Sequence, residues 1–378
     1  MQGEGRGHMT QSIAMKRMLE NAGVSVDEVL IGSSDRREVP PFYYNKIKAN
    51  VTSIESPNLS ADKKNRSVNV LRTLIKNSKN IPAYRKSLRM IDEKIRTYRP
   101  DLIINFYEPL AGIYYMFHKC KVPMICIGHH YLFHHPDFNM PDRKLLDKIT
   151  LRLYTSLTAY GATRKLALSF YPLKDCTEKS IYVIPPLLRS EVLEKQPVNG
   201  NYLLVYLLNS GYMNDVIKWH EKNPSIILHC FVDKKEIKDV VQYHEHLYFH
   251  QLNDQKFVEM MAGARGLITT AGFESVCEAM YLKKPALIVP VEGHYEQFCN
   301  SRDAFKAGAG IYDDRFDISR FLGFLAQYKQ NNERYLEWVK LSQELTLKQI
   351  RSVLDISQDN VRYLNPYHGL EKRVSANL

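Results

Sequence analysis

Short β-branched or apolar runs alternate with longer amphipathic stretches along this chain, and the alternation occurs twice. In the first half the runs fall at 27–32, 51–54, 101–106, 123–128, 166–170 and 181–185, with helical patterns such as 68–98 between them. Strand, helix, strand at this spacing predicts βαβ units and hence a parallel sheet. A "PPLLRSE" stretch (185–191) and the polar "EKQPVNGN" (194–201) interrupt the rhythm, as turn-rich boundaries do. It restarts at 202–208, 225–231, 246–250, 266–269 and 286–290. The expected fold is α/β, with two doubly wound Rossmann-like domains facing a cleft. The expected bounds are 1–188 and 189–328, and 378 residues is a length for two domains. Leu336, Val339, Leu345, Leu347 and Ile350 recur near helical period. They predict a helix over 332–355, within a 329–378 segment expected to pack back on the first domain.

Ligands of open α/β sheets bind beyond the carboxyl ends of the strands, and two such domains place the site in the cleft between them. Motifs that directly follow a strand therefore carry the most weight. "GLITTAGFESVCEAMYLKKPALIVPVEGHYEQFCN" (266–300) reads as strand, tight turn, helix, strand, loop, helix. Gly272 stands where strand gives way to helix. Phe273, Glu274 and Ser275 follow in a first turn whose free N–H groups suit a phosphate or pyrophosphate. Glu278 shares a helix face with Glu274 and is placed to accept hydrogen bonds from a ribose diol. His294, Glu296, Gln297 and Asn300 are four hydrogen-bonding side chains within seven positions, a set that suits a polyhydroxylated ligand.

The chain opens on "MQGEGRGHMTQS", with Gly3, Gly5 and Gly7 at alternate positions before His8. A loop of this kind follows the central strand of a doubly wound sheet, yet only Met1 and Gln2 stand before it. About four buried side chains of such a strand are worth roughly 6–12 kcal/mol. The expectation is therefore that the first strand is missing from this sequence and that the native chain begins some 5–10 residues upstream, within a normal strand length.

"TTAGFESVCEAMYLKKPALIVPVEGHYEQFCNS" (269–301) resembles the donor-binding segment of nucleotide-sugar glycosyltransferases of the GT-B fold, the group that includes the bacterial lipid II N-acetylglucosaminyltransferase and the UDP-glycosyltransferases. Glu278 falls seven residues before Pro285, as the family's ribose-binding glutamate does, and "EQFCN" (296–300) matches the stretch that reads the donor sugar. "GEGRGHMTQ" resembles the family's amino-terminal Gly-rich loop, which ends in Gly-His and faces the acceptor. The resemblance implies transfer of a hexosyl or N-acetylhexosaminyl group from a nucleotide-diphosphate sugar, expected to be UDP-linked, to an acceptor hydroxyl with inversion. It also implies roles. Gly272, Phe273, Glu274 and Ser275 border the diphosphate, Glu278 the ribose, and Glu296, Gln297 and Asn300 the sugar. Asn209, Ser210 and Gly211 approach the diphosphate, and His250 reaches the nucleobase. On the acceptor side stand Gly5, Gly7, Thr10, His129 and His130. His8 is the candidate general base, because an imidazole titrates near neutral pH.

No D-x-D motif is present, so helix N-termini are expected to stabilise the leaving group without a metal, and no cofactor is implied. "CIGHHYLFHHPDF" (126–138) brings His129, His130, His134 and His135 together beside Asp137, but the spacing is not a common zinc pattern. Six scattered cysteines read as reduced thiols of a cytoplasmic protein. Fourteen Lys or Arg against four acids between 42 and 100 carry most of the net charge of +11. Such a field attracts anions. It fits a lipid-linked acceptor with peripheral contact at the inner face of the membrane, or a solvated helical face. No nucleic-acid-binding motif accompanies it. Two other readings suit the same fold: a sugar-nucleotide epimerase of the UDP-N-acetylglucosamine 2-epimerase type, and a non-catalytic nucleotide-sugar-binding protein.

Overall fold

A computed structural model describes residues 1–364 apart from 4, 34–38, 58–79, 143–144, 208–209, 235 and 330–331. The amino-terminal half runs α1 (Arg6–Asn21), β1 (Glu28–Ser33), α2 (Pro41–Ile47), β2 (Asn50–Glu55), α3 (Ile81–Tyr98), β3 (Ile103–Asn105), α4 (Pro109–His118) and β4 (Met124–Ile127). A 3-10 turn (His129–His134), α5 (Leu145–Thr158), β5 (Arg164–Leu168) and β6 (Ile181–Ile184) complete it. After the short α6 (Ser190–Leu193) come β7 (Tyr202–Leu207), α7 (Met213–Glu221), β8 (Ile227–Val232), β9 (Val240–His244), β10 (Leu247–Gln251) and α8 (Asp254–Gly263). Then follow β11 (Gly266–Thr270), α9 (Phe273–Tyr281), β12 (Ala286–Val289), α10 (Tyr295–Lys306), β13 (Gly310–Tyr312), α11 (Ile318–Gln327), α12 (Glu333–Lys340) and α13 (Ser342–Leu364).

The carboxyl-terminal strands form one seven-stranded sheet, ordered β13-β12-β11-β7-β8-β10-β9. Every pairing is parallel except β9 with β10. Its central strands are predominantly apolar, as helices on both faces require; β12 is buried at all four positions. The amino-terminal strands instead make two parallel sheets, β1-β2 and β3-β4-β5-β6. Met1 to Gly3 bridges them at one end. The Gly3 N–H donates to Gly32 O (2.7 Å), the Gly32 N–H to Met1 O (2.8 Å) and the Gln2 N–H to Phe106 O (3.1 Å). A Cβ on Gly3 would lie 2.6 Å from Gly32 O, so only glycine passes there. Beyond this bridge β1 and β3 diverge around a cavity of about 580 Å³ lined by Leu30, Ile54, Ile91 and Ile103, among others.

The doubly wound α/β reading holds, with differences in detail. β9 and β13 go beyond the predicted strands: β9 is an exposed hairpin partner and β13 has three residues, so neither carries an apolar run. The predicted 332–355 helix is divided at Leu341 into α12 and α13. The part of the 68–98 helix before residue 80 lies outside the described residues. α13 packs on β6, and Arg164 donates to Ser352 Oγ (2.6 Å).

Candidate active site at two facing switch points

Strand order fixes where each half can bind a ligand. In the carboxyl-terminal sheet the order reverses between β7 and β11, so the turns after Leu207 and Thr270 frame the crevice. In the amino-terminal half the corresponding point lies between Met1–Gly3 and β3, framed by the start of α1 and by Phe106–Glu108. The two crevices face each other. A Cβ on Gly7 would come within 3.4 Å of Glu274 Cβ, and Gln11 Nε2 donates to Glu274 Oε2 (2.9 Å).

Three helix N-termini converge there. Gly5 caps α1, which has no acid in its first turn. Gly272 caps α9, where a Cβ would meet nothing closer than 3.9 Å. His294 caps α10. Burial and the neighbouring Glu278 push the Glu274 carboxyl up to about 8, so it is largely protonated at neutral pH. Burial opposes the charge on Glu296. The facing His130, by charge and hydrogen bond, nevertheless holds it well below the usual carboxylate range. Glu274 therefore adds little negative charge at the positive end of α9, whereas Glu296 stands ionised beside His130 at that of α10.

Imidazoles line the other wall. His130 Nε2 lies 3.0 Å from Glu296 Oε1. Its ring stacks on Tyr107 with centroids 3.7 Å apart and stands 5.7 Å from that of His8. Tyr107 adopts φ +57°, an uncommon conformation for a tyrosine, and its hydroxyl meets Thr155 Oγ1 at 2.7 Å. His8 is partly buried; burial first, then His130, lower its pKa to about 4. His129 is fixed by Leu168 O at Nδ1 (2.8 Å) and stacks on Phe273 at 4.2 Å.

Residues 1–331 match the description glycosyl transferase family 1. The chain belongs to this family. Solved structures of similar fold include the glycotransferase of kitacinnamycin, at 14% identity and TM-score 0.60 over 93% of this chain and 97% of that one. Arabidopsis thaliana UGT89C1 complexed with quercetin follows at 13% identity, TM-score 0.61, with coverage of 93% and 97%. MurG of Acinetobacter baumannii shares 12% identity at TM-score 0.52, with coverage of 95% and 98%. No curated relative matches the sequence. The fold is GT-B and the protein is a glycosyltransferase.

In this glycosyltransferase several residues sit differently from expectation. Gly7 and His8 belong to the first turn of α1 rather than to a loop. Thr10 donates to Gly7 O (2.9 Å) within that helix, so its hydroxyl does not face an acceptor. His129 is packed between the halves rather than lining an open pocket. His250 lies buried with Nε2 2.9 Å from His229 Nδ1 and stacks on Phe231. Gln297 turns back on its own loop, Oε1 accepting from the Val291 N–H (2.9 Å). Asn300 Nδ2 donates to Ala271 O (3.2 Å), bracing the turn before α9. Ser210 and Gly211 fall in the 3-10 turn after β7; Asn209 lies outside the described residues.

Glu278 is 1% exposed, and Arg189 grips both its oxygens (Nε–Oε1 2.5 Å, Nη2–Oε2 2.8 Å). Arg189 was missed as a site residue: it stands in "PPLLRSE", which sequence pattern marks only as a boundary. An arginine directly before a helix in a segment joining two domains was the available signal. Lys46, from the basic 42–100 segment, bonds Glu191 (2.6 Å) and Asp254, and Lys94 pairs with Glu28 (3.2 Å), so part of that charge is neutralised internally. The four clustered histidines diverge. His135 Nε2 donates to Lys174 O (2.7 Å), and His134 approaches Ser156. No group of three or more His, Cys, Asp or Glu among the described residues is placed for a metal.

Proposed function

We propose that this glycosyltransferase moves a hexosyl or N-acetylhexosaminyl group from a UDP-linked sugar to an acceptor hydroxyl, with inversion and without a metal. The observation that carries the reading is the convergence of three helix N-termini on the cleft, with Glu274 neutral and Glu296 engaged by His130. Sugar transfer develops negative charge on the departing diphosphate, and fixed dipoles aimed at it lower the barrier without reorganising. The Gly272–Ser275 turn borders the diphosphate. Glu278 takes the ribose diol on lone pairs that Arg189 leaves free, since each carboxylate oxygen accepts more than once. The solved structure of UGT89C1 complexed with UDP has this fold, at 13% identity and TM-score 0.59.

A thermal-unfolding screen of UDP-, GDP- and TDP-sugars tests the donor. Stabilisation by UDP-sugars above the others is expected. A folded protein that gives neither stabilisation nor heat with any nucleotide would overturn the reading. Glu278→Ala should weaken UDP binding; unchanged affinity would remove the ribose assignment.

The acceptor in this proposal is lipid-linked. No helix among the described residues is long and apolar enough to cross a membrane. α5, however, exposes Leu145, Leu146, Ile149 and Leu153, and on its other side Thr155 supports the Tyr107 floor of the site. Arg152, Lys165 and Lys179 gather around His134 beside it. An apolar stripe next to cations suits an anionic bilayer surface. Co-sedimentation with anionic vesicles, lost in Leu146→Glu/Leu153→Glu, is the expected result; equal recovery with and without vesicles would discard it.

A further inference from the structure

Asp303 of α10 is a buried acid at the contact between the two halves. Its Oδ1 accepts from the Tyr171 hydroxyl. Its Oδ2 has no hydrogen-bond partner among the described residues, and it faces His129 Nε2, equally buried and unpartnered, at 3.7 Å. The other side of the ring fixes the tautomer of His129. Leu168 O can only accept, so the Nδ1 that lies 2.8 Å from it carries the hydrogen. In the neutral ring Nε2 is then a bare lone pair. A lone pair and an ionised carboxylate oxygen repel each other unless a proton joins them.

We propose that Asp303 and His129 are positioning residues that share one proton across the two halves, and that this proton seats the Phe273 ring at the start of α9. The consequence for the donor rests on the glycosyl-transfer reading. The proton is carried by Asp303 Oδ2 and donated to His129 Nε2. Burial raises the Asp303 carboxyl to about 6 and lowers His129 to about 4, so the acid takes the proton before the ring does. The 3.7 Å separation is about 1 Å longer than an O–H···N hydrogen bond, so protonation draws the ring toward α10. Phe273 follows, because it lies between His129 (centroids 4.2 Å apart) and Phe170 (4.7 Å). When the proton leaves, two acceptors are opposed and the seat loosens. Asp303 is also faced by Tyr171 from the segment between β5 and β6, by Cys277 of α9, and by Cys299 and Lys306 of its own helix. Lys306 favours the ionised acid, and burial outweighs it. His130 and Glu296 act on His129 with opposite signs.

Nitrogen-edited spectra of the full chain, without ligand, test the pair. Between about pH 5 and 7.5 His129 should remain the Nδ1–H tautomer, while its Nε2 resonance moves with a midpoint of about 6 as Asp303 loses its proton. The Phe273 ring resonances should move with the same midpoint. An Nε2–H tautomer, an imidazolium in this range, or a fixed Nε2 resonance would overturn the shared proton, and fixed Phe273 resonances would overturn the seating. Asp303→Asn, checked for folding by its melting curve, adds a second variant. Its amide keeps an oxygen for Tyr171 and offers an N–H to His129 at every pH, so both movements should be lost; movements as large as in wild type would overturn the proposal. The donor consequence is read with UDP. The affinity of wild type relative to Asp303→Asn should fall on the order of tenfold from about pH 5.5 to 7.5, as the seated fraction falls, and a constant ratio would overturn the link to the donor turn. If the spectra agree but neither protein binds UDP, the donor reading falls and the shared proton stands.

Discussion

In the carboxyl-terminal half seven strands share one ladder from β13 to β9, whereas in the amino-terminal half β1 and β3 face each other across a cavity of about 580 Å³ and are bridged by Met1 to Gly3. Both halves have the same alternating pattern, so periodicity alone does not decide whether a sheet closes. Closure depends on one central strand being long enough to bond both neighbours. The consequence reaches the site. The turn at Gly272 hangs from a continuous sheet. His8 and Tyr107 hang from the two sides of the divided one, steadied by local bonds such as Ser56 Oγ to Glu108 Oε1 (2.5 Å).

Filling that cavity should produce the largest change. Five or six apolar residues fused ahead of Met1, as an engineered strand, would bury about four side chains in that cavity. At roughly 1.5–3 kcal/mol each the upper bound is about 6–12 kcal/mol, read as a large rise in melting temperature. A Gly/Ser segment of equal length should give almost none; equal gains from both would show that the cavity is not a strand slot. Next in size is Arg189→Ala. It strands Glu278 buried and unpaired, a loss on the order of 3–5 kcal/mol in urea unfolding. A cost under about 1 kcal/mol would mean that the linker does not tie the halves together.

The two halves should also differ in their response to truncation. Ile268 is fully buried in β11, and Ile54 borders the cavity from β2. Ile268→Ala should cost about 2–5 kcal/mol, and Ile54→Ala about 1–2, because fewer packing contacts are lost where space already exists. Equal costs would show that the amino-terminal core is as tightly packed as the other.

The strands were legible because buried parallel strands are short apolar runs, and the Gly272 turn was legible because it must follow one of them. Partners were not. Nothing in the spacing of Glu278 announces Arg189, 89 residues away, and no local pattern pairs Glu296 with His130 across the cleft. His250 follows the expected strand but meets His229, a neighbour supplied by sheet order rather than sequence order. Thr10 shows the same limit at short range, since its helix claims the hydroxyl. A sequence places a group at a strand end; the tertiary fold decides which side of the strand end is already occupied.

The smallest effect concerns the hydrogen bond by which Gln11 of α1 reaches Glu274 of α9. Glu274 titrates near 8 in the folded protein, raised by burial and then by Glu278, and near 4.3 when unfolded. The folded state therefore holds the extra proton, so its contribution is complete below the unfolded value and declines as pH rises through about 8. Between about pH 6.5 and 8 the slope is at most about 1.4 kcal/mol per pH unit. Asp303, raised by burial to about 6, and the histidines, near 6.5 when unfolded, still change at the low end of this window, but equally in wild type and variant, so they cancel in the difference. Wild type should thus lose roughly 1–2 kcal/mol relative to Glu274→Gln across the window. If the two urea-unfolding curves stay parallel, Glu274 is ionised in the folded protein, and the positive field of the three helix ends is weaker than the donor reading requires.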